Sequence, residues 1–132
     1  MTTAIATKYA AIAAAADAAG KAAADAATPT PMIVGQAKAI FGPGADEIDY
    51  SKRTYYVAGG VCGFAWVALK GNSGFGRWAK REGIARPGYP SGLMIRANVG
   101  GQSYETKMAY AQAYAAVLRE HGITAYPQGR LD

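Results

Sequence analysis

Between residues 70 and 96 the sequence carries Lys70, Arg77, Lys80, Arg81, Arg86 and Arg96 against Glu82 alone, a run of basic side chains suited to neutralising an anion. The formal net charge of +5 originates beyond the N-terminal part, because residues 1–53 hold five Lys/Arg and five Asp/Glu. Like charges gathered on one short segment repel one another unless nucleic acid, a nucleotide or an acidic neighbour offsets them. The competing explanation is a solvated face that keeps the protein in solution. Two Gly-rich loops add to the first explanation. Lys70-Gly-Asn-Ser-Gly-Phe-Gly-Arg77 and Gly100-Gly-Gln-Ser103 each lead from a strand into a helix N-terminus, where free amides and the helix dipole favour anions. The candidate anion-binding or nucleic-acid-binding residues are therefore Arg77, Lys80, Arg81, Arg86, Arg96, Gln102, Ser103 and Lys107. Neither loop has the Gly-x-x-x-x-Gly-Lys-Ser/Thr or Gly-x-Gly-x-x-Gly pattern in its required setting, and glycines that only cap and turn the chain account for them as well.

Aromatic rings are interleaved with this charge: Phe64, Trp66, Phe75, Trp78 and Tyr89. A sheet face carrying Phe64 and Trp66, bordered by basic side chains, is what base stacking with phosphate neutralisation needs. The alternative places such rings in a core, and at least one of the faces that hold them must be buried.

Catalytic sets do not converge. His121 falls in the last turn of a helix, where it serves the dipole and the free carbonyls. Cys62 lies in an apolar strand and behaves as a small hydrophobe. A single cysteine forms no internal disulfide, and one histidine beside it makes no zinc set, a composition that fits a reducing cytoplasm. Asp46, Glu47 and Asp49 lack the calcium-loop pattern and read as solvated. The expectation is a protein that is not an enzyme and needs no cofactor or metal.

These residues have to be positioned by one domain, for which 132 residues of 51% hydrophobic composition suffice. Val61–Leu69 is the clearest strand. Val61, Gly63, Ala65, Val67 and Leu69 alternate with Cys62, Phe64, Trp66 and Ala68, and since both faces are apolar the strand is expected to be covered on two sides or to sit in an oligomer. Asn72 or Ser73 caps a short helix with the stripe Phe75, Trp78, Ala79, ended by Gly83. Arg86–Gly92 reads as an irregular loop and Leu93–Val99 as a strand. Ser103 caps a long helix, Tyr104–His121, with Met108, Ala111, Ala115 and Leu118 facing the core. Ile123–Tyr126 reads as a last short strand and Pro127–Asp132 as a tail.

The N-terminal part differs in composition. Residues 1–27 read as an Ala-rich helical arm, divided at Gly20 and held by its own domain or a neighbouring subunit. Residues 28–53 read as an extended linker with Thr28-Pro-Thr-Pro-Met and a loop at Gly42-Pro43-Gly44. Residues 54–132 read as an α+β domain beginning with a strand at Thr54–Val57 and a turn or bulge at Ala58-Gly59-Gly60. The fold class is α+β: a three- or four-stranded sheet with two helices on one face, preceded by the arm. No apolar run approaches the roughly 20 residues of a bilayer span, and no basic, Leu-rich leader opens the sequence.

Cys62-Gly-Phe-Ala-Trp-Val67, Gln102-Ser103 with Lys107 and Tyr110-Ala111, and Gly122-Ile-Thr-Ala-Tyr126 with Arg130-Leu-Asp132 resemble a group of small tailed-bacteriophage proteins. The resemblance covers residues 54–132, with a weaker match at Thr-Pro-Thr-Pro-Met. It implies a viral origin and a location in the host cytoplasm or the virion, and no catalytic role. The expected function is that of a phage accessory protein binding nucleic acid through the basic helix and loop. The alternatives are a virion structural or decoration protein whose N-terminal arm contacts other copies or virion proteins, and an antagonist of host defence that sequesters a nucleotide.

Overall fold

The computed structural model describes residues 2–39, 44–45, 47–52, 54–57 and 60–132; the expectations for Gly42-Pro43, Asp46 and Ala58-Gly59 lie outside the described residues. In order, the elements are α1 (Thr3–Ala26), β1 (Met32–Val34), β2 (Tyr55–Val57), β3 (Gly63–Leu69), α2 (Gly74–Arg81), β4 (Arg86–Pro87), β5 (Leu93–Arg96), α3 (Tyr104–Glu120) and β6 (Ala125–Leu131). β1 pairs with β2, and the larger sheet is antiparallel in the order β4-β5-β3-β6. The class is α+β.

Alternation along the strands decides which side of the sheet is covered. Ala65, Val67 and Leu69 of β3, Leu93 and Ile95 of β5, and Ala125 of β6 are all buried. They share one core with Phe75, Trp78 and Ala79 of α2 and with Ala111, Ala115 and Leu118 of α3. α2 and α3 each begin on a serine whose oxygen accepts an orphan amide: Ser73 from Gly76 N–H at 2.9 Å, Ser103 from Thr106 N–H at 3.3 Å.

α1 is one continuous helix whose Ile12, Ala13 and Ala16 are buried in that same core. Gly20 does not divide it. A Cβ there would lie 2.6 Å from the Tyr110 ring, so the glycine marks the close approach of α1 to α3. Tyr110 donates its hydroxyl proton to Asp17, and Tyr9 sets its ring edge-on to Phe75 with centroids 5.7 Å apart. Alanine's small side chain is what allows so close a contact.

Several segments depart from expectation. Of the two alternatives for β3, coverage on both sides within the chain does not occur: Phe64 keeps 41% of its surface exposed and Trp66 is half-buried. The expected tail is a seven-residue strand paired with β3 from Gly63↔Leu131 to Leu69↔Ala125. Pro127 is tolerated because β6 is the edge strand, where a missing N–H interrupts no second ladder. Arg86–Pro87 is strand rather than loop, β5 ends at Arg96, and Met32–Val34, within the expected linker, pairs with β2. Among the described residues no helix is long and apolar enough to cross a membrane.

Candidate nucleic-acid interface

The open side of the sheet receives every second residue of its strands, and the antiparallel register sets their neighbours. Phe64 stands opposite Arg130, Trp66 between Arg96 and Gln128, and Ala68 between Met94 and Tyr126; Arg86 stands opposite Met94. Three aromatic rings and three guanidinium groups thus share one uncovered face. The Trp66 indole N–H donates to Gln128 Oε1 at 3.2 Å, which fixes the ring against the sheet.

Phe64 carries a cation on each of two approaches. Lys107 Nζ lies 5.1 Å and Arg130 Cζ 5.5 Å from its ring centroid. Lys107 comes from α3 and donates to the Gly63 carbonyl at 3.0 Å, which holds its ammonium at the end of the sheet. A cleft of about 400 Å³ opens there, lined by Phe64, Trp66, Tyr89, Arg96, Lys107 and Arg130 among others. An adjoining hollow of about 190 Å³ brings Arg86 to Arg96 and Asn98. Among the described residues no carboxylate lies within ion-pair distance of Arg86, Arg96, Lys107 or Arg130, and none lines either hollow. Cations left without acids on a concave, partly apolar surface set up a positive potential that water screens incompletely.

The candidate residues divide. Arg86, Arg96 and Lys107 meet at this face. Arg77, Lys80 and Arg81 lie on the exposed flank of α2 and line neither hollow, with Arg77 Nη1 donating to the Asn72 carbonyl at 2.8 Å. Gln102 is exposed in the loop before α3, and its backbone carbonyl accepts the Gly63 N–H at 3.0 Å. Ser103 is buried with its oxygen committed to the α3 cap, so the anion role expected of it is replaced by a structural one. Lys107 reaches the sheet rather than the helix N-terminus. No family model, no curated protein and no solved structure matches the chain. What the face does has to be argued from its own geometry.

Gln128 and Arg130 escape sequence reasoning because Pro127 ends the expected strand at Tyr126; the period of two from Tyr126 through Gln128 to Arg130 is the available signal. Away from this face, His121 Nδ1–H donates to the Val117 carbonyl at 2.9 Å, a contact within its own helix end. Among the described residues no group of three or more His, Cys, Asp or Glu is placed to hold a metal ion. The perturbed titrations belong to the α1–α3 contact. The Tyr110 hydroxyl, followed by Lys21, holds the Asp17 carboxyl below its ordinary value, while burial first and Asp17 second raise Tyr110. Burial pushes Tyr114 up to about 12, with the charge of Asp17 adding to the rise.

Proposed function

We propose that the chain is a non-enzymatic accessory protein that binds nucleic acid through the open face of its sheet. A bacteriophage origin is part of this proposal and is supported by the resemblance at residues 62–67, at Gln102-Ser103 with Lys107 and Tyr110-Ala111, and at residues 122–126 and 130–132. One observation supports the reading above others: Arg86, Arg96, Lys107 and Arg130 surround exposed aromatic rings without a carboxylate among the described residues to neutralise them. Guanidinium groups suit phosphate because their fork of N–H donors matches its oxygens. The α2 cations can add contacts at longer range.

Binding to phosphates releases counterions, so affinity has to fall with salt. With four cations engaged, the slope of log K against log salt is about −3 for a single strand. Titration of a fluorescent oligonucleotide at several salt concentrations measures it. Charge reversal at Arg86, Arg96 and Arg130 is expected to flatten the slope by about two units, at about 0.7 per phosphate contact on a single strand. Reversal at Arg77 and Lys80 is expected to change it less. Absence of salt-dependent binding in the unmodified protein contradicts the proposal.

A second reading, in which another copy or a virion protein covers the face, draws on exposed Phe64 and Tyr126. A symmetric contact would bring like cations together, which counts against the self-paired version. Detection of the protein in purified particles at a fixed copy number favours this second reading.

A further inference from the structure

Resting on that reading of the sheet face, we infer that its ligand is single-stranded nucleic acid, one base of which inserts between the Phe64 ring and the Arg130 guanidinium. The two cations beside Phe64 are not equivalent. Lys107 is half-buried, projects from a helix and is tied to the Gly63 carbonyl at 3.0 Å. Arg130 is exposed on the edge strand, and its guanidinium makes no hydrogen bond or ion pair among the described residues. One cation is fixed and the other can withdraw.

A base entering from the solvent side exchanges a ring–guanidinium contact for two stacked ones, ring on base and base on guanidinium. Two stacking steps of about 3.4 Å need roughly 7 Å between the outer planes. Arg130 Cζ lies 5.5 Å from the Phe64 centroid, so the guanidinium has to move outward to admit a base, which its long, exposed side chain allows. Lys107 remains on the ring and keeps the site positive.

The remaining cations lie where the neighbouring phosphates would run. From β6 to β4 the sheet crosses three strand spacings, about 14 Å at roughly 4.8 Å each, and Arg96 and Arg86 follow Arg130 in that direction. A few nucleotides span it. In a duplex both faces of every internal base are already stacked, and only edges show in the grooves. A ring held at a sheet face has no means of reaching those faces, whereas an unpaired strand offers them. The cleft, at about 400 Å³, has the size of pockets that take small organic groups, about 300–1,000 Å³.

The test uses the full chain and fluorescence anisotropy at low salt with four probes of about ten nucleotides: oligothymidylate, oligouridylate, an abasic deoxyribose-phosphate oligomer and a DNA duplex. The two base-bearing single strands separate DNA from RNA as the source of the stacked base. Tighter binding of oligothymidylate or oligouridylate than of the abasic oligomer and the duplex is the expected result. Phe64→Ala is then expected to weaken the base-bearing strand roughly 5- to 150-fold and leave the abasic oligomer unchanged. Arg130→Lys, which retains the charge but not the planar group, is expected to lower the preference for bases while preserving the salt slope. If the abasic oligomer or the duplex binds as tightly as the base-bearing strands, base insertion is overturned and the electrostatic reading of the face stands. If no probe binds in a salt-dependent way, both fall.

Discussion

At Gly20 the chain has space for a hydrogen atom and little more, because the buried ring of Tyr110 occupies the place of a side chain. Gly20→Ala gains about 1 kcal/mol of helix propensity and meets overpacking of about 1–3 kcal/mol against a ring that cannot swing away. A net loss of stability is expected, read as a lower thermal midpoint; a stabilised variant contradicts the packing described. The neighbouring Asp17–Tyr110 bond makes a pH prediction. Asp17 is depressed below its ordinary 3.8, so its contribution is present above that value and is lost as pH falls below it. Tyr110 and Tyr114 are raised above 10, so theirs is held up to that value and lost as pH rises beyond it. Tyr110→Phe should remove both the acid-side dependence due to this bond and about 1 kcal/mol at neutral pH; urea midpoints across the pH range measure it. Ser103→Ala is expected to cost roughly 0.5–2 kcal/mol as a lost cap while leaving oligonucleotide affinity unchanged, which separates its structural role from the ligand role its position suggested.

Elements with a local signature were legible. α2 and α3 announce themselves by Ser73 and Ser103 at their starts, by apolar stripes and by Gly83 and Gly122 after their ends, and they form within a residue or two of expectation. Elements specified by distant partners were not. β6 contains Pro127 and Gly129, both poor strand residues, yet it pairs with β3 along its whole length because an edge strand tolerates a missing donor. Gly129 has a specific reason to lack a side chain, since a Cβ there would lie 2.7 Å from the Tyr104 ring. β4 is only Arg86–Pro87 and depends on β5 for its definition. α1 reads as an arm because alanine buries little area per residue, and of the two expected supports it is the chain's own domain that holds it, through Ile12 and Tyr9. Removal of residues 127–132 tests the status of β6 directly. A dispensable tail would leave the unfolding transition unchanged, whereas loss of six of its paired or flanking residues should lower the midpoint markedly or abolish cooperative unfolding.

For the whole molecule, the sequence located an excess of positive charge and the fold redistributed it. Arg86, Arg96 and Lys107 were anticipated as anion-binding residues, but they assemble with Arg130 on the sheet instead of with Arg77, Lys80 and Arg81 on α2. Linear clustering records proximity along the chain, while the pleat and register of four strands set proximity in space. Phe64 and Trp66 were legible as a possible stacking surface only by alternation, and which of their two faces stayed open required the helices to be placed. The most direct test is a backbone amide NMR titration of the full chain with a short oligothymidylate at low salt. We expect the shifted resonances to cluster at Phe64, Trp66, Arg96, Asn98, Lys107, Gln128 and Arg130; shifts centred on Arg77, Lys80 and Arg81, or none at all, contradict a ligand seated on the open sheet.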